Sequence, residues 1–307
     1  RYIASKDLRR HVRKLEKMGE KILLLGSTGK MGVALRNIFV GNYSIVCKNS
    51  SDFDALDFVQ VRNLLEKNKP EIVINTVALL GIDLCEKEPE KAFQINTLFP
   101  KFLAELSNEK GFLLVHFSTD AVFNDEKGDF YTESDLPQPL NIYGCTKYGG
   151  DCFVQAIAKR YYLFRIAILF GEAAKNTQFV EKMLQKIKEG QKVLKISADI
   201  ISSPTYSKDV AREIKKILEN SSEFGLYHVA NEGKASLYDL MKEITESLNL
   251  DVRVEKASYK DFPFFGIKNT YTPLRSEKIT PLRHWKEAIN EYCDSIKKLP
   301  QWTNYDR

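Results

Sequence analysis

Apolar positions along this chain switch repeatedly between two periods, and the switching lays out the elements. Lys21 to Leu25 is a short aliphatic run that meets a glycine-rich turn; behind it Met31, Leu35, Ile38 and Phe39 recur at helical spacing. Ser44 to Cys47 reads as a second strand, and a helix follows through Leu64 and Leu65 to Lys67. Glu71 to Asn75 is the next strand, 85–107 a long helix with a kink or break at Pro100, and Phe112 to Phe117 a fourth strand. A helix opens near Asn141 and runs to about Lys159, and Tyr162 to Leu169 is another strand, closing at Gly171. Strands alternating with helices predict an α/β fold with a doubly wound, Rossmann-type parallel sheet. Past Gly171 the periodicity weakens. Helices are predicted at 178–189, 207–219 and 236–248, with strands at 192–196 and from Tyr227 to Ala230. No repeat and no low-complexity segment interrupts the series.

Composition narrows the class. The 307 residues suffice for one large or two modest domains, and 43% apolar with 28% charged is ordinary for a globular protein. A net charge of +5, with bases and acids interspersed, does not suggest nucleic acid, and no apolar run approaches a membrane span. The five cysteines are scattered and none has metal spacing, so no metal site is expected. Reduced thiols in a cytoplasmic protein is the simple expectation. Residues 1–20 are basic, with Leu8, Val12 and Leu15 at helical spacing, and predict an amphipathic helical extension or linker. The chain begins with Arg1 rather than Met, which leaves open processing or fusion to a missing N-terminal domain.

The turn Gly26-Ser27-Thr28-Gly29-Lys30-Met31-Gly32 lies between a strand and a helix, the context a dinucleotide loop requires. Gly26 makes the tight turn, Gly29 lets backbone approach a pyrophosphate, and Gly32 allows close packing of helix on strand. The helix N-terminus then offers unpaired amides to the phosphates. The second strand runs into Cys47-Lys48-Asn49-Ser50 with no acid to bind a ribose 2′-hydroxyl, and Lys48 suits a 2′-phosphate, which leans toward NADP over NAD.

Tyr143 and Lys147 stand four residues apart on a predicted helix and so share one face. An ammonium beside a phenol favours the phenolate, so the tyrosine pKa is expected to fall from about 10. The turn at Ala78 and the strand end at Ser118-Thr119-Asp120 fall where an open parallel sheet gathers ligand contacts. Thr119 and Tyr143 can then reach one carbonyl oxygen, Thr119 bonding it while Tyr143 gives a proton and Lys147 holds the tyrosine and a cofactor ribose. The alternative for Thr119 is a hydroxyl that caps a backbone amide. His116 lies inside a buried strand and reads as core.

These stretches, with Asp54-Ala55-Leu56-Asp57, Ser118 to Phe123, Tyr131 to Asp135, Pro139 to Gly144, Ser203-Pro204-Thr205 and Leu274 to Lys278, resemble the extended short-chain dehydrogenase/reductase family. The likeness is greatest to its dTDP-4-dehydrorhamnose reductase branch and covers about 21–300. It implies catalytic Thr119, Tyr143 and Lys147. It implies cofactor contacts at Gly26, Thr28, Gly29, Lys30, Met31, Gly32, Lys48, Asp54, Ala55, Ala78, Tyr143 and Lys147. Substrate contacts fall on Thr119, Asp120, Ile168 and Thr205. It divides the chain into a dinucleotide-binding domain, 21–171 with 201–229, and a substrate lobe, 172–200 with 230–307. The implied reaction is NAD(P)H-dependent reduction at C4 of a 4-keto-6-deoxy sugar nucleotide, for deoxysugar biosynthesis, with a homodimer plausible.

Two departures strike the sugar contacts: Ile168 stands where the family often has tryptophan, and Asp199-Ile200-Ile201-Ser202-Ser203-Pro204-Thr205 lacks the usual amide and glycine. Two alternatives accompany the reductase reading. One is a sugar-nucleotide epimerase/reductase or dehydratase, which needs an added acid/base pair that the scattered His and Cys residues do not supply. The other is a non-catalytic NADP-binding regulatory subunit, a use the branch includes for methionine adenosyltransferase.

Overall fold

A computed structural model describes residues 19–173 and 178–298. The predicted helix over 1–20 therefore lies almost wholly outside the described residues. The first half alternates as the pattern demands: β1 (Lys21–Leu25), α1 (Lys30–Phe39), β2 (Ser44–Lys48), α2 (Phe58–Asn68), β3 (Ile72–Asn75), α3 (Ile82–Lys87), α4 (Pro89–Phe93), α5 (Phe99–Lys110) and β4 (Leu113–Thr119). Then come α6 (Ile142–Ile157), β5 (Tyr161–Ile166), β6 (Leu169–Phe170), α7 (Phe179–Lys188), β7 (Val193–Ser197), β8 (Ile201–Ser202), β9 (Thr205–Tyr206), α8 (Ser207–Glu219) and β10 (Gly225–His228). The last elements used below are β11 (Asn231–Glu232), β12 (Ala235–Ser236), α9 (Leu237–Ser247), β13 (Arg253–Ala257), β14 (Leu282–His284) and α10 (Trp285–Lys297).

Six strands form one sheet in the order β10-β5-β4-β3-β1-β2, every pair parallel. Their aliphatic runs are continuous because helices cover both faces. Ile22 and Leu24 point into one core with Met31, Leu35 and Ile214, while Leu23 and Leu25 point into the other with Leu103, Leu106 and Val154. The strand order reverses between β1 and β3, so their carboxyl ends open a crevice there. A separate core lies beyond the sheet, where Leu184, Leu194, Leu240, Ile244, Ile289 and Tyr292 pack together. β13 pairs in parallel with β7 in that region, a strand the sequence pattern does not announce. Among the described residues no helix is long and apolar enough to cross a membrane.

The single helix expected over 85–107 is instead interrupted. α3 ends at Lys87, Pro89 opens α4 at its first turn, and Gln94–Leu98 forms a π-helical turn before α5. Pro100 sits at the start of α5. It lacks an N–H and its ring would press on the carbonyl four residues back, and the widened turn absorbs both.

Candidate active site

The glycine turn after β1 is built as its sequence requires. Gly26 has φ +85, a left-handed conformation that favours glycine. Its N–H and that of Ser27 donate to the Lys48 carbonyl at 2.8 and 3.0 Å, which stitches the turn to the end of β2. A Cβ on Gly26 would stand 2.5 Å from Thr76 Oγ1, and one on Gly32 would stand 2.3 Å from the Gly26 carbonyl oxygen. Gly29 is exposed and occupies the N-cap of α1, and no side chain caps the first amides of that helix. A pyrophosphate fits this cradle, which a side chain at Gly26 or Gly32 would close.

Two loop residues contribute differently from the resemblance. Lys30 is buried: its Nζ donates to the Leu169 carbonyl at 3.0 Å and pairs with Glu181 of α7 at 2.9 Å. Met31 packs into the core beneath α1. Both side chains are spoken for, and what they can offer a phosphate is their backbone amides. Thr28 stays partly exposed at the rim. Lys48 is partly exposed and lies 3.5 Å from Asp52. Asp54 is exposed, its carboxylate accepting from Leu56 N at 2.9 Å, and Ala55 packs on the core beside it. Ala78 is partly exposed in the loop after β3.

That loop is held by a residue the sequence reading passed over. Asn96, in the π-helical turn, accepts from Leu79 N at 2.9 Å and donates to the Leu79 carbonyl at 3.0 Å and to Thr146 Oγ1 at 3.2 Å. It fastens the loop after β3 to α6. Only the tertiary fold brings residue 96 to 79 and 146, and the one local signal is the irregular helix that Pro100 forces.

Asn141 begins α6, its side chain accepting from Gly144 N at 2.8 Å, an N-cap bond. Its amide also donates to the Ile267 carbonyl at 2.9 Å and to Asn269 Oδ1 at 3.0 Å, so the cap anchors the 267–269 segment as well. The helix seats tightly: a Cβ on Gly144 would stand 2.2 Å from the Ala121 carbonyl oxygen. α6 therefore carries Tyr143 and Lys147 directly against the end of β4, where Thr119 lies.

Lys147 is buried, 3% exposed, and its Nζ donates to the Phe117 carbonyl at 2.5 Å. Burial pulls its pKa down to about 8, against the pull of Asp151 one turn further along α6. Asp151 is itself paired with the buried Arg165 at 3.1 Å. Tyr143 is half-buried, and its pKa moves opposite to the expectation from the tyrosine–lysine spacing. Desolvation raises it well above 10, a hydrogen bond with Thr119 lowers it, and Asp120, Cys85 and Asp151 raise it further. The phenol is thus held protonated, as a proton donor must be. Burial outweighs the neighbouring ammonium, which is turned to Phe117.

Thr119 combines both of its readings. Its Oγ1 accepts from Ala121 N at 3.2 Å, the capping role, and lies in bonding contact with Tyr143. It also donates to Asp120 Oδ1 at 3.1 Å. His116 is core: it is fully buried, bonded to Asn75 Nδ2 at 3.1 Å, and its pKa is driven well below the usual range by burial and by Lys147.

The substrate contacts implied by resemblance are not equally placed. Ile168 is partly exposed and packs on the second core. Thr205 is completely buried and its hydroxyl donates to the Ser203 carbonyl at 2.8 Å, which removes it as a sugar ligand. Both oxygens of Asp120 are occupied by hydroxyl donors, from Thr119 on one side and Ser202 and Thr272 on the other.

A six-stranded parallel sheet with a glycine turn after its first strand, and a threonine, tyrosine and lysine meeting at the end of β4, defines a nucleotide-binding protein of the extended short-chain dehydrogenase/reductase type. Residues 20–298 match the family described as RmlD substrate binding domain, and the chain belongs to that family. SpsK, a spore coat polysaccharide biosynthesis protein of Bacillus subtilis (strain 168), is 32% identical over 277 residues, 89% of this chain and 96% of that protein. A dTDP-4-dehydrorhamnose reductase of Clostridium acetobutylicum superposes with a TM-score of 0.84 at 32% identity, covering 90% of this chain and 99% of the other. The dTDP-4-dehydrorhamnose reductase of Bacillus anthracis, solved in complex with NADP, superposes with a TM-score of 0.85 at 29% identity, covering 91% of this chain and all of the other.

Proposed function

We propose that this chain catalyses NADPH-dependent reduction of the C4 keto group of a 4-keto-6-deoxy sugar nucleotide, a step in deoxysugar biosynthesis. NADH is the alternative donor. The observation that carries the reading is the meeting of Thr119 and a protonated Tyr143 at the end of β4, with Lys147 buried on the same helix face. Relatives named dTDP-4-dehydrorhamnose reductase, over nearly the whole chain, support the substrate class.

The amides at the start of α1, beside Gly26 and Gly29, would hold the cofactor's pyrophosphate, and Lys48, at the end of β2, would meet a 2′-phosphate. When bound, the nicotinamide supplies the hydride. Thr119, whose hydroxyl donates to Asp120 Oδ1 in the resting site, would turn that proton to the keto oxygen and so orient it. Tyr143 gives that oxygen its proton as negative charge develops there. Lys147, one helical turn from Tyr143 and held by the Phe117 carbonyl, would supply the positive charge that stabilises the resulting tyrosinate. All five cysteines are free thiols, which suits a reducing, cytoplasmic setting.

The test is NADPH oxidation, followed by absorbance, on a panel of 4-keto-6-deoxy sugar nucleotides, with NADH in parallel. Turnover on one member is the expected result. Silence across the panel with NADPH still bound would reject the reading.

A further inference from the structure

A buried ammonium needs an opposite charge close by, or it gives up its proton. Lys147 is 3% exposed, and one of its three N–H groups donates to the Phe117 carbonyl at 2.5 Å. Several ionisable groups face this part of α6. Cys85 of α3 is buried, and burial pushes its thiol up to about 11, so it is uncharged at neutral pH. Glu86, also on α3, accepts from Ile142 N at 2.9 Å at the start of α6. His116 of β4 is held uncharged by burial and by Lys147 itself. Asp120, in the turn after β4, bears on Tyr143. Asp151 lies on α6 itself, one turn beyond Lys147 on the same face, and is fully buried. Burial is the largest influence on the Lys147 pKa, and Asp151 is the largest that opposes it, ahead of Cys85.

Asp151 is held in turn by Arg165 of β5, 2% exposed, whose Nε donates to Oδ2 at 3.1 Å. Burial pushes the Asp151 carboxyl up, and the guanidinium, which keeps its proton in proteins, pulls hardest against that. The contact is not the two-bond fork in which an arginine and a carboxylate neutralise each other. Asp151 Oδ1 and Arg165 Nη1 are both buried without a hydrogen-bond partner, and the guanidinium lies over the Phe123 ring, 5.4 Å from its centre. One carboxylate oxygen is therefore left unbonded one helical turn from Lys147. We propose that Asp151 is a positioning residue for the reaction: clamped by Arg165, its carboxylate keeps the buried Lys147 ammonium charged, and so able to stabilise the tyrosinate that forms when Tyr143 gives up its proton. This rests on the reductase reading. Arg165 stands opposite Ser118 in the parallel register of β5 on β4, so the clamp belongs to the strand end that carries Thr119.

The experiment follows kcat/KM for the sugar nucleotide against pH, at saturating NADPH, in wild type, Asp151→Asn, Asp151→Glu and the double variant Asp151→Asn/Arg165→Met. Wild type is expected to lose activity as pH rises through about 8, where Lys147 gives up its proton; Tyr143 titrates well above 10. Asp151→Asn keeps the shape and an acceptor for Arg165 but not the charge. Its alkaline limb moves down by about one pH unit, the size of shift that loss of a neighbouring charge produces. Activity at pH 9 then falls about tenfold, while at pH 6, where the lysine is charged in both proteins, it stays within about twofold. Asp151→Glu keeps the charge and returns the limb to within about half a unit of wild type. The double variant leaves no guanidinium buried alone, so it carries the test if Asp151→Asn does not fold, and its limb moves in the same direction by less.

A purely structural ion pair gives a different result: Asp151→Asn loses activity by one factor at every pH, along with thermal stability, and the limb stays where wild type has it. That outcome overturns the inference. A limb at or above its wild-type position in the folded double variant overturns it as well. So does a limb that moves as far in Asp151→Glu as in Asp151→Asn, because charge is then not what Asp151 contributes. Any of these with an active wild type rejects the inference alone; a wild type silent on every sugar nucleotide rejects it together with the reductase reading.

Discussion

Tyr143 and Lys147 are a pair whose chemistry depends on environment rather than on spacing. The phenol is kept protonated by burial and by surrounding negative charge. Tyr143→Phe keeps the ring and loses the proton. It should abolish turnover while NADPH binding, followed by fluorescence, stays within about twofold, since the hydroxyl acts on the carbonyl. Lys147 is ionised at a cost, its pKa held near 8 by burial against an ordinary 10.5. The unfolded chain keeps that proton up to higher pH than the folded one, so the penalty is complete below about 8 and lifts as pH rises toward 10.5. Lys147→Met should therefore lose turnover yet raise the melting temperature at neutral pH. The relief is about 3 kcal/mol before the lost bond to Phe117 is subtracted. A lowered melting temperature would show that the bond outweighs the burial. Lys48 is partly exposed at the end of β2. Lys48→Glu should weaken NADPH against NADH by about tenfold in KM, the order expected when a phosphate meets repulsion instead of attraction, and an unchanged ratio would remove Lys48 from phosphate recognition.

At the scale of elements, α6 is the part that must not move. Its cap, Asn141, also grips the 267–269 segment, and Gly144 lets the helix lie against the turn after β4. Gly144→Ala puts a methyl where the Ala121 carbonyl stands. The helix has to shift, at a cost of about 1–3 kcal/mol. Turnover should fall by more than NADPH binding does, which steady-state kinetics and a binding titration separate. The α/β order, the glycine turn, the strand end at Thr119 and the start of α6 were all legible in the chain, because each has a local cause: aliphatic runs, glycine, a capping asparagine. The interrupted helix over 82–110 was not. Its break is made by Pro89, Pro100 and the π turn together, and a periodicity reading places Pro100 as the only irregularity.

For the whole molecule, buried histidines weaken the fold as the pH falls. His228 is nearly fully buried, its pKa driven down to about 4 from 6.5, chiefly by desolvation. Below pH 6.5 the unfolded chain takes up a proton that the folded one refuses. The stability is whole above pH 6.5 and drains away as pH falls toward 4, by about 3 kcal/mol from this residue. His116 acts in the same direction. Denaturant unfolding across pH 7 to 4 should show the loss, and His228→Asn should flatten it; an unchanged slope would assign the acid sensitivity to other groups.

Sequence alone determined the nucleotide-binding sheet, its glycine turn and the three residues proposed for catalysis, because these follow from the order of short segments and from residues whose roles are local. Tertiary structure decided the rest. It turned Lys30 toward Glu181, sank Thr205 beneath its own backbone, drew Asn96 to the loop after β3, and surrounded Asp120 with hydroxyls from residues 202 and 272. It also reversed the expected direction of the Tyr143 pKa. Each of these is a contact between segments far apart in the chain or a consequence of burial. Neither distance across the fold nor the loss of water around a side chain is written in the spacing of residues.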